Sequence, residues 1–283
     1  MRFTAFLFLS AVVLLSSCRP KTPEIIIVPD YEKNHLQRNH LMGKVQSISS
    51  TLYYDNTSDS TRESRRKIST TIHEYSPDGY LLKVTVLDEA DSLVSVQSVF
   101  YRKDAKEDYW IETNHEGKVV NRSQYEYDVN NHIASEKLFH LDSMIYAVYY
   151  KTDGVGNVIE MKEDHITHTL RSEMEYNLYG LVSRIDQYDP NNKLFKYVTI
   201  EYDNFGDEVN RRVFRNKNNI IEYTYTQYDD YGKLLKVIYE DRLHNYREVY
   251  DYPEHDAEGN WTMEIRQKAN GDTYIRERII KYY

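Results

Sequence analysis

One turn, Tyr-x-x-x-Gly, recurs along this chain at an almost constant interval and constrains its fold more than any other feature. Its clearest copies are residues 202–206 (YDNFG) and 228–232 (YDDYG). The positions equivalent to the glycine are Gly79, Ala105, Asn131, Gly156, Gly180, Gly206, Gly232 and Gly259. Neighbouring positions are 24 to 27 residues apart. A steady period within about 20–50 residues indicates a repeat architecture.

The residues of the turn have recognisable backbone roles. Asp or Asn directly after a strand accepts hydrogen bonds from nearby amides and caps the turn, as Asp128 and Asp203 are placed to do. Glycine adopts positive φ without steric cost, and Asn131 is a good substitute because asparagine tolerates the left-handed region. Ala105 is a poor substitute, so its repeat is the weakest of the series.

Both flanks of the turn have the pattern of β-strands. Residues 196–202 (KYVTIEY) alternate apolar and polar side chains, and residues 234–239 (LLKVIY) are rich in β-branched and aromatic types. Polar breaks such as residues 189–192 (DPNN) join one unit to the next. The sequence therefore predicts an all-β fold, a repetitive antiparallel meander of about 26-residue hairpins with roughly sixteen strands.

Size and composition indicate how such a sheet is shaped. Sixteen strands would span roughly 75 Å if flat, and open sheets rarely exceed about ten strands without curling. We therefore expect a strongly twisted, curled sheet that forms a partial shell or wide barrel, with a flat single-layer sheet as the alternative. Tyrosine is unusually frequent, at 28 of 283 residues. Cross-strand ladders that stiffen a thin sheet are the simplest interpretation of these rings.

The run 201–206 (EYDNFG), followed by Val209, resembles a Rhs-type, or YD, repeat. The C-terminal stretch, residues 256–262 (DAEGNWT) and then Tyr274 to Tyr283, resembles the end of YD-repeat-like lipoproteins of Bacteroidota. The resemblance covers about residues 41–283 and is specific to the repeat type. It implies a β-shell related to those of large toxins, whereas the small lipoproteins suggest no particular activity.

The N-terminus predicts where the protein resides. An apolar run, Phe3 to Leu15, has the length of a signal sequence and is followed by Leu-Ser-Ser-Cys ending at Cys18. This resembles a bacterial lipobox, which implies lipidation of Cys18. Because residue 19 is Arg and not Asp, the resemblance favours an outer-membrane lipoprotein of the bacterial cell envelope. Residues 19–23 (RPKTP) lack the acidic cluster that often follows the cysteine of surface-exported lipoproteins, which favours the periplasmic leaflet. We assign residues 1–17 to the signal peptide, 18–40 to the lipidated cysteine and tether, and 41–283 to the β-sheet domain.

Few residues indicate catalysis, metal binding or nucleic-acid binding. His165 and His168 beside Asp164 are placed as a pair of zinc ligands would be, but no spacing fixes a third ligand. The only cysteine is assigned to lipid, and neither a Gly-x-Ser-x-Gly elbow nor a phosphate loop is present. With a net charge of −9 and no basic stripe, nucleic acid is not an expected partner. We expect no enzyme, metal or cofactor.

Two further sets of residues are candidate sites. Trp110 and Trp261 follow turns and are candidates for stacking on sugar rings. Ser60, Ser92 and Ser143 follow aspartates in predicted connections and resemble the O-glycosylation motif of Bacteroidota, although Asp-Ser is also common in ordinary turns. Intact-mass measurement of the mature protein would show both the acyl groups and any attached glycans.

Three functions follow from these features. The first is a non-enzymatic envelope lipoprotein whose β-repeats act as a binding or scaffold module for an unknown envelope protein. The second is a glycan-binding lipoprotein that uses exposed Tyr and Trp residues. The third is a hydrolase with a site in the concave face, for which carboxylates of raised pKa inside the curl would be the structural sign.

Overall fold

The computed structural model describes residues 35–38, 41–55, 65–204, 206–215, 219–229 and 234–283. One short helix, α1, precedes eighteen strands. The elements are α1 His35–Arg38, β1 Val45–Asp55, β2 Arg66–Tyr75, β3 Leu81–Leu87, β4 Leu93–Tyr101, β5 Glu107–Asn114, β6 Val119–Tyr127, β7 Ile133–His140, β8 Ser143–Thr152, β9 Val158–His165, β10 Thr169–Tyr176, β11 Val182–Tyr188, β12 Leu194–Tyr202, β13 Glu208–Arg215, β14 Asn219–Tyr228, β15 Leu234–Asp241, β16 Tyr246–His255, β17 Trp261–Lys268 and β18 Thr273–Tyr282. Within these residues, no helix has the length and apolar character needed to cross a bilayer.

The strands form one antiparallel meander that closes into a wide barrel. Each strand pairs with the next along the chain, and β18 returns to pair with β1. The expected all-β meander and its curling are confirmed, and the flat sheet is wrong. The strand number is eighteen rather than sixteen, because β1 and β18 lie outside the eight hairpins that the turn glycines define.

The turn chemistry read from the sequence is confirmed. The Oδ1 of Asp128 accepts hydrogen bonds from the backbone amides of Asn130 and His132, at 2.9 and 2.8 Å. Every described turn position has positive φ, including Ala105 at 62° and Asn131 at 65°. All these turns lie at one end of the barrel, which we call the repeat-turn end; the other is the distal end. β1 begins and β18 finishes at the repeat-turn end.

A β-bulge accompanies each repeat tyrosine. The pairing register shifts between Phe100 and Tyr101, and again between Glu126 and Tyr127, with the same shift in the other repeats. A type I turn followed by a left-handed residue produces such a bulge, which bends the strand and increases its twist. Bulges repeated around the sheet therefore supply curvature that favours closure.

The repeat tyrosines bond one hairpin to the preceding one. Each hydroxyl donates to a backbone carbonyl located two residues after the previous turn glycine, over 2.6 to 2.8 Å. The four pairs are Tyr101 to Leu81, Tyr127 to Glu107, Tyr176 to Val158 and Tyr202 to Val182. Where His255 replaces tyrosine, its Nε2 lies 3.2 Å from the Leu234 carbonyl oxygen. We call this contact the tyrosine lock.

Removing one tyrosine lock tests its contribution to stability. Tyr202→Phe keeps the ring and deletes the hydroxyl that bonds Val182. We expect the free energy of unfolding in urea to fall by about 0.5–1.5 kcal/mol. Tyr225, which is exposed, is the matched control, and Tyr225→Phe should change stability by less than about 0.5 kcal/mol. Equal losses in the two variants would contradict the lock.

Candidate functional site

The contacts of α1 identify the inner face of the barrel. Leu36 packs in a cluster with Ile48 of β1, while the adjacent His35 places its Nε2 3.1 Å from Glu107 Oε1 on β5. In a flat sheet those two strands would lie about 19 Å apart. The sheet therefore curves around α1, and the side of the sheet that carries Ile48 and Glu107 is concave.

A cavity of about 650 Å³ opens beside α1 at the repeat-turn end, and we call it the mouth cavity. Four tyrosine rings and two imidazoles contribute to its wall, together with polar groups of two neighbouring repeat turns. The lining includes Tyr80, Tyr101, Tyr125, Tyr127, His35, His132, Asp104, Lys106, Glu107, Asn130 and Asn131. The cavity thus combines aromatic surface with many hydrogen-bonding groups.

The tyrosines of the mouth cavity are fixed by the repeat. The hydroxyls of Tyr101 and Tyr127 are used in tyrosine locks. Tyr80 packs against Tyr101 with ring centroids 5.4 Å apart, and His35 meets the same ring edge-on at 6.3 Å. Burial, and secondly the charge of Glu107, raises the pKa of Tyr127 to about 12. Tyr127 therefore stays neutral at physiological pH and keeps the hydroxyl proton that it donates to the Glu107 carbonyl.

A row of tyrosines and carboxylates continues the inner face beyond the mouth cavity. The Tyr150 hydroxyl lies 3.5 Å from Oε2 of Glu136, and the Tyr146 hydroxyl donates a hydrogen bond of 3.1 Å to Oε2 of Glu163. Burial raises the pKa of the Glu136 carboxyl, with the nearby charge of Glu107 as a further cause, while hydrogen bonds from Tyr125 and Tyr150 act in the opposite sense. The Glu136 carboxyl therefore has the raised pKa that we expected for a hydrolase with a site in the concave face.

A second charged network occupies the inner face of β16 to β18. Glu248, which is 3% exposed, accepts hydrogen bonds from Arg266 and from the hydroxyls of Tyr246 and Tyr250. Glu264, which is 5% exposed, lies 3.4 Å from Arg276. Paired, hydrogen-bonded carboxylates are the form in which buried charge is tolerated.

The outer face carries cross-strand ion pairs and stacked rings. Lys83 Nζ lies 3.2 Å from Glu74, and Lys236 Nζ lies 3.1 Å from Asp251. Phe100 stacks on its register partner Tyr109 with centroids 4.4 Å apart. This pattern is typical of a face in contact with water, and it bears out the interpretation of aromatic residues as cross-strand pairs.

The two tryptophans lie away from the mouth cavity. Trp110 is half-buried in β5, opposite Val99 and Ser123. Trp261 packs against Tyr252 with centroids 5.2 Å apart, and the Arg278 guanidinium lies 3.2 Å from its ring centroid. One face of Trp261 is therefore occupied, and sugar stacking on either ring stays a prediction.

The remaining sequence-based sites are dispersed. Ser92 and Ser143 are exposed at the distal end, whereas Cys18 and Ser60 lie outside the described residues. His165 and His168 stack on each other with centroids 4.6 Å apart. Across the described part of the chain, no group of three or more metal-binding side chains comes together.

Sequence reasoning missed the residues that line the inner face. Glu107, Glu136 and Arg278 belong to strands whose alternation was visible, and Tyr80 directly precedes β3, but alternation does not say which face is concave. The available signal was positional: Glu107 and Trp261 each stand two residues after a turn position, where five of the eight repeats have an aliphatic residue such as Leu81 or Val158.

Comparison with known proteins gave structural similarities only. No family model matches the chain, and no curated protein matches it. A porin-like protein from Bacteroides uniformis ATCC 8492 aligns with 13% identity over 85% of this chain and 98% of that chain, with a TM-score of 0.43. TcdB2-TccC3-TEV aligns with 10% identity over 80% of this chain and 16% of that chain, with a TM-score of 0.35. TcdB2-TccC3 without its hypervariable C-terminal region aligns with 13% identity over 82% of this chain and 16% of that chain, with a TM-score of 0.36. With TM-scores below 0.5, none of these similarities bears on function.

The raised pKa of Glu136 predicts a pH-dependent effect on stability. Because the folded state holds the proton more tightly than the unfolded state, Glu136 destabilises the fold above its folded pKa. The penalty disappears as the pH falls to the ordinary value of 4.5. Glu136→Gln should therefore raise the urea midpoint at neutral pH and lose that advantage near pH 4.5.

Glu126 on the outer face is the matched control for Glu136. Hydrogen bonds from Lys137 and Ser135 lower its pKa, so its stabilisation is present above the ordinary pKa and is lost on acidification. Glu126→Gln should therefore lower the midpoint slightly at neutral pH. If both variants shifted the midpoint in the same direction, the assignment of Glu136 would be wrong.

Proposed function

We propose that the protein is a non-enzymatic binding module of the bacterial cell envelope that takes a short neutral saccharide in the mouth cavity. The observation that carries the proposal is the cavity itself, whose volume of about 650 Å³ is typical of small-molecule sites. The lipobox ending at Cys18 supports the envelope location and the lipid anchor. The YD-repeat resemblance supports a lipoprotein of Bacteroidota.

The composition of the mouth cavity suits a sugar ring. The faces of Tyr80 and Tyr101 offer aromatic surface for the C–H face of a saccharide. Asp104, Asn130 and His132 stand on the neighbouring repeat turns and offer acceptors and donors for its hydroxyls. Because the surrounding rings are held by the tyrosine locks, little conformational entropy is lost on binding.

Catalysis is not proposed, since the inner carboxylates are already engaged. Tyr125 and Tyr150 hydrogen-bond Glu136, and His35 pairs with Glu107. Glycoside hydrolysis requires an acid and a second carboxylate acting on one bond. The geometry around Glu136 instead supports a structural role that anchors tyrosine rings.

The binding test uses the full chain in detergent micelles. Neutral oligosaccharides selected on a glycan array would be titrated by calorimetry into wild type and Tyr80→Ala. We expect the variant to bind about three- to tenfold more weakly, because an aromatic contact contributes about 0.5–1.5 kcal/mol. Tyr179→Ala is the control, as Tyr179 is 70% exposed on a turn outside the cavity. Unchanged affinity in Tyr80→Ala, or no neutral saccharide bound by wild type, would refute the proposal.

A protein scaffold is the second candidate, and an apolar rim at the distal end favours it. Leu141 and Ile166 are 63% and 78% exposed on neighbouring turns, and Val119 and Met144 are exposed beside them. The Leu141 amide donates to the Val120 carbonyl over 3.1 Å, which holds this rim together. Clustered exposed apolar side chains commonly mark a protein interface.

Crosslinking in cells tests the scaffold candidate. We expect Leu141→Asp combined with Ile166→Asp to abolish the dominant crosslinked partner, because a charge opposes burial of the rim. Leu178→Asp, on an exposed turn of the repeat-turn end, is the control and should retain the crosslink. Identical crosslink patterns in all three proteins would exclude the distal rim as the interface.

A further inference from the structure

On the inner face of β16 to β18 the described basic side chains, which include Lys268 over the Tyr274 ring, outnumber the carboxylates. The carboxylates are Glu248 and Glu264, and each has an arginine partner, Arg266 and Arg276 respectively. Arg278 is a third guanidinium on the same side of β18, and no described carboxylate lies within ion-pair distance of it. An uncompensated charge in such a place is costly unless something neutralises it.

The guanidinium of Arg278 is held in place but is not satisfied by hydrogen bonds. It lies over Trp261 at 3.2 Å from the ring centroid, and this contact fixes the plane of the guanidinium. Its Nε is buried and has no hydrogen-bond partner among the residues that the structure describes. A fixed guanidinium with unused donors can bind a carboxylate or a phosphate through two parallel hydrogen bonds.

Small polar side chains separate Arg278 from His73 on the neighbouring strands. In the β-sheet register Arg278 stands opposite Ser50 on β1, and Ser50 stands opposite Thr71 on β2. His73 follows two residues after Thr71 on the same face, opposite Ile48. The small, hydroxyl-bearing side chains of Ser50 and Thr71 therefore lie between Arg278 and His73 on the inner face.

Positive charge in this part of the inner face disfavours the protonated forms of both His73 and Arg278. Burial lowers the pKa of His73, and the charges of Arg278 and Arg276 lower it further. Burial likewise lowers the pKa of Arg278 to about 10, with Arg276 adding to the effect. Glu264, Tyr75 and Tyr252 act in the opposite direction on Arg278. A bound negative charge would stabilise the guanidinium of Arg278 and would favour protonation of His73.

We propose that Arg278 and His73 form an anion-binding site on the inner face, which takes the carboxylate or phosphate group of a ligand. Arg278 supplies the paired guanidinium donors, and Trp261 keeps the guanidinium plane in position. His73 donates from the opposite side, with the hydroxyls of Ser50 and Thr71 between them. The site goes beyond the proposed saccharide binding and uses residues outside the mouth cavity, so failure of one proposal leaves the other intact.

Calorimetric titration of the full chain in detergent tests the anion site. Inorganic phosphate, glucuronate and glucose would each be titrated at matched ionic strength into wild type, Arg278→Met and Arg247→Met. Arg247 is the control because it pairs with Glu240 on the outer face, at 3.5 Å. We expect Arg278→Met to bind the anions at least about tenfold more weakly, as charged hydrogen bonds are lost, while Arg247→Met matches wild type.

Comparing the affinities for phosphate and glucuronate distinguishes a free anionic group from an acidic saccharide as the ligand. Equal affinity for phosphate and glucuronate supports a site for a free anionic group, whereas tighter glucuronate binding supports an acidic saccharide. Glucose should not bind at this site. Unchanged anion affinity in Arg278→Met, or binding of neither anion to wild type, overturns the proposal.

A measurement on the wild-type protein covers the case in which Arg278→Met does not fold. The pKa of His73 would be followed by side-chain NMR with phosphate, with glucuronate and with chloride at equal ionic strength. We expect either anion to raise this pKa relative to chloride, because a negative charge near the imidazole favours its protonated form. A pKa of His73 that stays the same under all three conditions overturns the proposal.

Discussion

The structure depends on the coupling between a left-handed turn residue, the bulge that follows it and the tyrosine that bonds across it. Positive φ at positions such as Gly206 allows the bulge, and the bulge brings the repeat tyrosine onto the inner face. There its hydroxyl reaches the carbonyl of the preceding hairpin, as Tyr202 reaches Val182. A phenylalanine would fill the same space but leave that carbonyl unbonded, which explains why the repeat requires tyrosine.

Closure of the barrel follows from curvature and from one long-range pairing. The hairpins are local and were readable from sequence, as were the turn positions and even the weak copy at Ala105. The pairing of β1 with β18 joins Val45 to Tyr282, across nearly the whole chain, and no local pattern encodes it. The sequence could therefore predict a curled sheet that forms a partial shell or a wide barrel, while the eighteen strands and the pair β1–β18 that closes the barrel came from the structure.

The inner face explains why this barrel is wide and not filled by an apolar core. Buried apolar residues form small clusters, such as Leu36 with Val45 and Ile48, and not a continuous layer. Between the clusters lie tyrosines and charged residues whose partners belong to adjacent strands. Alternation along a strand shows which residues share a face of the sheet. It does not show whether that face is inside or outside the barrel, because an exposed ion pair and an inner one have the same sequence pattern. Glu136 and Arg278 could not be predicted as inner residues for that reason.

The repeat separates the residues that maintain the shell from those that can vary in chemistry. Turn glycines, capping aspartates and locking tyrosines recur because each satisfies a backbone requirement. The position two residues after the turn keeps the same backbone role in four repeats, since its carbonyl accepts the tyrosine lock whether its side chain is aliphatic or is that of Glu107. That position is Leu81 in one repeat, Glu107 in the mouth cavity and Trp261 beneath Arg278. A repeated carbonyl requirement thus leaves the side chain free to specialise, and both proposed sites lie where it has done so.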